Sequence, residues 1–157
     1  ISTVLGGVFI IALAVRSWRS PGFDLSAAAW VMLAVTAVMI VTNKTFSPQY
    51  MLWLAGPAAV LVLGVPNRRS WLTGEQRSRL VAGIGVVVLS ALTQAIYPFL
   101  YDALIVNGAA GPATVAAVVL LTIRNVVILL ATGWICSQAW KTVRHGGTTT
   151  RPPAPVG

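Results

Sequence analysis

The chain has 157 residues, 57% of them hydrophobic and only 9% charged, with a formal net charge of +8 and a mean hydropathy of +0.82. Soluble domains carry roughly 25% charged residues, so this composition excludes an ordinary soluble fold and predicts an all-α, polytopic membrane protein. Its basic residues are spread among several loops instead of being gathered on one surface, which argues against nucleic acid as a partner.

Five apolar runs are expected to be helices, at residues 1–15, 25–42, 47–65, 81–101 and 114–140. The last four approach or exceed the ~20 residues that cross a bilayer. The first is shorter and lacks both an initiator Met and a basic leader segment. It fits a helix cut by a fragment boundary better than a signal peptide. Loops rich in Arg16 and Arg19, in Arg68, Arg69, Arg77 and Arg79, and in Lys141, Arg144 and Arg151 alternate with loops holding Lys44 or no cation. The positive-inside rule then places the rich loops in the cytoplasm of a multi-pass plasma-membrane protein and the chain start outside. Trp18, Trp71 and Trp140 fall near the inner interface, and Tyr50, Trp53, Tyr97 and Tyr101 near the outer one, as aromatic belts do.

Within the runs, Gly56-Pro57 and Pro98 predict kinks, and Gly83 and Gly85 offer places for close helix approach. Residues 141–157 read as a basic cytoplasmic tail, disordered and rich in Thr, Pro and Gly toward its end. Cys136 is the only cysteine and lies in the fifth run, lipid-facing or packed. His145 has no second metal-ligand side chain near it in sequence, so no metal or other cofactor is expected.

Chemistry concentrates in two places. The first is Asn43-Lys44-Thr45-Phe46-Ser47-Pro48-Gln49-Tyr50, a polar knot between two apolar runs. Ser47 suits a helix N-cap and Pro48 the first helical position. A helix start beside Lys44 would offer free N–H groups and a cation to a phosphate, while Gln49 and Tyr50 add neutral hydrogen-bonding groups. On the alternative reading Lys44 touches lipid headgroups, Ser47-Pro48 only begins a helix, and Tyr50 and Trp53 form the belt.

The second place is Arg124-Asn125, ten residues after Thr114 in the fifth run and so about 15 Å along it, near the bilayer midplane. A cation there costs roughly 2.5 to 3.5 kcal/mol on insertion scales, so it needs a cavity or a partner. Two readings stand: stabilisation of a lipid-linked phosphate, or an ion pair with a carboxylate, with Asn125 bonding between helices. Carboxylates are scarce, since only Asp24, Glu75 and Asp102 occur. Asp102, the only one in an outer loop, is the weak candidate for a general base.

The segment Asn-Lys-x-x-Ser-Pro-Gln-Tyr-x-x-Trp at residues 43–53, the Tyr97-Pro98 and Tyr101 stretch, and Ile123-Arg124-Asn125 resemble the C-terminal part of the actinobacterial GT-C membrane glycosyltransferases. That family includes the phosphatidylinositol-mannoside mannosyltransferases, and the resemblance spans most of the chain. It implies inverting transfer of mannose from polyprenol-phosphate mannose to a glycolipid or cell-envelope glycan on the outer face. Lys44, Ser47, Gln49, Tyr50, Arg124 and Asn125 would then line the donor-phosphate site. In the family the catalytic Asp belongs to the first outer loop, which this chain does not contain, so the chain alone is expected to be an inactive C-terminal fragment. Two other functions remain open from the residues: a transporter or flippase segment whose kinked helices and Arg124 line an alternating path, and a noncatalytic membrane scaffold.

Overall fold

The computed structural model describes residues 2–20, 23–43, 49–65, 73–97 and 111–145, and among them every regular element is helical. In chain order these are α1 (Ser2–Trp18), α2 (Leu25–Thr42), α3 (Tyr50–Leu63), α4 (Gly74–Ile96) and α5 (Pro112–His145). Three are long and apolar enough to cross a membrane: α2, α4 and most of α5, over Thr114–Arg144. Helices α1 and α3 are apolar but shorter.

The helix starts follow from local chemistry. Asp24 caps α2 by accepting from the Ala27 amide at 2.7 Å. Thr73 and Gln76 form a reciprocal capping box on α4, the Thr73 hydroxyl accepting from the Gln76 amide at 3.3 Å and the Thr73 amide donating to Gln76 Oε1 at 2.9 Å. That box explains why α4 begins at Gly74, ahead of the apolar run expected from 81. Its polar first turns satisfy the N–H groups that a helix start leaves open. Arg79 then pairs with Glu75 one turn back and donates to the Gly64 carbonyl at 3.3 Å, tying the end of α3 to the start of α4.

Helix α2 contacts α1, α3 and α5, and the sequence α2, α3, α4, α5 closes into a ring of neighbouring pairs with α1 packed on α2 and α5. Apolar nearly all round, as a membrane-spanning helix is, α2 buries Trp30, Leu33, Ala34 and Ala37. Trp30 meets Trp134 of α5 edge to face, ring centroids 5.8 Å apart, a favoured aromatic geometry. On α3, Pro57 is buried and the helix continues through it, although a proline supplies no amide to the preceding turn. Of the two glycines expected at a close approach, Gly83 serves: a Cβ there would lie 2.5 Å from Val62 Cγ2. Gly85 has nothing within 4 Å of such a Cβ and lines an apolar cleft of about 360 Å³ between α4 and α5. Cys136 is half-buried against the core.

Helix α5 is 34 residues long, about 51 Å, and it runs five residues past the span expected to end at 140. Lys141–His145 are therefore helical and not part of a disordered tail. The remainder of that tail, 146–157, lies outside the described residues.

Candidate site at the Tyr50 end of the bundle

Side-chain bonds fix which helix ends share a face. Thr3 Oγ1 donates to the Thr42 carbonyl at 3.5 Å, joining the start of α1 to the end of α2. Asn43 Nδ2 donates to the Tyr50 hydroxyl oxygen at 3.3 Å, joining the end of α2 to the start of α3. The Tyr50 ring packs on Trp53 with centroids 4.9 Å apart. Gly6 lets α1 approach closely here, since a Cβ on it would sit 2.7 Å from Thr42 Cγ2.

Lys44 and Ser47, together with Pro48, lie outside the described residues, as do Pro98, Tyr101 and Asp102. Regular α3 begins at Tyr50, preceded by an exposed Gln49 in the cap position. Gln49 has helical dihedrals, φ −61° and ψ −23°, and makes no side-chain cap bond. Its carbonyl accepts from Leu52 N at 3.1 Å, a tight first turn.

Arg124 is 7% exposed, and its direction is set by one buried stripe of α5: Ala117, Arg124, Ile128, Ile135, Ala139 and Val143. These recur at four- and seven-residue spacings, one face of a helix. Both Nε and Nη2 of Arg124 donate to Asn125 Oδ1, at 3.2 and 2.6 Å. Asn125 is itself exposed and carries no charge, so it orients the guanidinium by two of its five N–H groups without countering its charge.

The depth of Arg124 follows from register. Ser20 Oγ donates to the Val143 carbonyl at 3.2 Å and Trp30 meets Trp134, so α2 and α5 are antiparallel. Ten residues beyond Trp30 on α2 is Ile40, and ten before Trp134 on α5 is Arg124. Arg124 therefore stands level with the last turn of α2, near Thr42 and Asn43. The register fixes this height relative to α2, and α5, at 34 residues, extends beyond the end of that neighbour. The structure thus brings Arg124 and Asn125 to the same end as Gln49, Tyr50 and Asn43. Asn43 was in the sequence motif but was not singled out as a site residue. Its polar side chain one residue past the helix was the available signal.

Among the described residues the carboxylates are Asp24 and Glu75, at the starts of α2 and α4 and so at the end of the bundle opposite Tyr50. The described part of the site holds a buried guanidinium, amides and one phenol. It can bind and stabilise an anion, and it holds no base for deprotonating a hydroxyl. No protein-family model, curated protein or solved structure matches the chain.

Proposed function

We propose that the chain forms the donor-phosphate half of an integral membrane glycosyltransferase of the GT-C class, which moves mannose from polyprenol-phosphate mannose to a glycolipid or cell-envelope glycan. One observation carries this reading: a buried arginine, turned inward on α5 and oriented by Asn125, level with the helix ends that bear Asn43, Gln49 and Tyr50. In this orientation the Tyr50 end faces the extracytoplasmic side and the Trp140 end the cytoplasm.

In the transfer, the sugar C1–O bond to the donor phosphate breaks while the acceptor oxygen bonds to C1 from the opposite face. The phosphodiester monoanion becomes a phosphomonoester dianion, and charge therefore develops on the leaving oxygens. A preoriented guanidinium in a low-dielectric setting stabilises that growing charge more than the ground state, which is what lowers the barrier. Lys44, which precedes α3 in the sequence, is assigned the role of a second cation, and Gln49 and Tyr50 donate to phosphate or sugar oxygens. The acceptor proton passes to a carboxylate supplied outside the described residues.

The test is reconstitution of the full-length protein with polyprenol-phosphate mannose and an acceptor extract. Mannose transfer that GDP-mannose cannot support in place of the lipid donor is expected. No transfer from any polyprenol-phosphate sugar would refute the reading.

A further inference from the structure

At the opposite end of the bundle, independent of the proposed glycosyltransferase, α1 and α5 enclose a second cleft of about 590 Å³, lined by Ala12, Val15, Arg16, Arg19, Ser20 and Arg144 among others. We infer that this cleft binds the phosphate group of an anionic phospholipid, with an acyl chain running along the exposed face of α1. Three arginines converge on it, and among the described residues no carboxylate lines it. Of the described carboxylates, Asp24 accepts from the Ala27 amide and Glu75 pairs with Arg79.

Arg16 is held in place by its neighbours. Its guanidinium carbon lies 4.8 Å from the Trp140 ring centroid, within cation–π range, and Phe9 packs on the same Trp140 ring at 6.3 Å. Arg16 Nε is buried with no hydrogen-bond partner, a donor that an incoming anion would satisfy. Three like charges around one cleft repel each other, and a phosphate removes that repulsion while accepting from their N–H groups.

The other wall points to an amphiphile. Ala12 and Val15 make the apolar side of the cleft, and Val8 and Ile11 continue it along α1, 60% and 64% exposed. Trp18, 92% exposed at the end of α1, marks the depth at which tryptophans meet headgroups. Basic pockets between membrane helices take anionic headgroups by this combination of charge and depth. A free phosphate ion would use only the arginine side.

The full-length protein, reconstituted in phosphatidylcholine bilayers containing phosphatidylglycerol and then extracted in detergent, tests this by native mass spectrometry of the retained lipid. Phosphatidylglycerol should be retained over phosphatidylcholine. Exposed Arg144 can be changed without disturbing the core, and Arg144→Gln should lower the retention about five-fold. The triple variant Arg16→Gln, Arg19→Gln, Arg144→Gln should abolish it, while Arg77→Gln, which removes an exposed cation at the same end but outside the cleft, should leave it unchanged. Equal retention in wild type and Arg144→Gln would overturn the proposal. So would an equal loss in Arg77→Gln, which would indicate surface charge alone, or complete displacement of the lipid by inorganic phosphate, which would make the cleft an ion site.

Discussion

Arg124 and Asn125 are consecutive residues joined at their side chains, with the guanidinium Nε and Nη2 both donating to one amide oxygen at 3.2 and 2.6 Å. One neighbour of this pair on the helix surface is buried and the other exposed, because consecutive residues on an α-helix point about 100° apart. Asn125 therefore reaches back toward the buried stripe instead of across to another helix. Asn125→Ala should cost roughly 1 kcal/mol of stability, below the ~1.5 to 3 kcal/mol usual for a hydrogen bond to a charged group because the amide is exposed. Equilibrium unfolding in mixed detergent measures it.

Gly83 and Gly85 separate a close contact from an open position two residues away. Gly83→Val must push the Val62 side chain or the α3 backbone aside, at about 1 to 3 kcal/mol as for other overpacked sites. Gly85→Ala meets nothing within 4 Å and should leave stability unchanged or raised by roughly 0.5 to 1 kcal/mol through helix propensity. Thermal melts of the two variants side by side should show a loss for Gly83→Val and none for Gly85→Ala.

The five apolar runs and the all-helical class were legible because periodicity and length are carried by the side chains themselves. Helix α2 matches its expected range, 25–42, since Asp24 caps it and no charged residue, glycine or proline interrupts it. The early start of α4 was written in Thr73 and Gln76, a three-residue capping spacing outside the apolar run. What sequence could not give was depth along α5. Its length exceeds the span of its neighbours, so only the Trp30–Trp134 and Ser20–Val143 contacts set the register of Arg124. Arg16, Arg19 and Arg144 read as scattered loop cations, and their convergence depends on α1 packing against α5.

Orientation is open to direct labelling. With Cys136 replaced by Ala, single cysteines at positions 75 and 108 should behave oppositely in intact cells: position 108 reacts with a membrane-impermeant reagent and position 75 reacts only after permeabilisation. The reverse pattern would invert the proposed topology.

Lys44, which precedes α3 in the sequence, should contribute a charge-assisted bond to the donor phosphate. Its loss in the full-length enzyme, as Lys44→Ala, should weaken donor binding by roughly 1.5 to 3 kcal/mol, or about 10- to 150-fold in donor KM. Lys44→Arg should retain most of the affinity. Unchanged donor KM and kcat in a normally inserted Lys44→Ala protein would leave Lys44 a headgroup contact.

Arg124→Gln in the full-length protein tests the central claim most directly, provided that turnover and stability are read from the same preparation. If the guanidinium stabilises the departing phosphate, mannosyl transfer should fall about 10- to 150-fold, as expected for loss of a hydrogen bond to a charged group in the transition state, with the unfolding midpoint nearly unchanged. A loss of about 3 to 5 kcal/mol of stability would instead mark Arg124 as one half of a buried ion pair. Transfer at the wild-type rate from a stably folded Arg124→Gln protein would contradict the account.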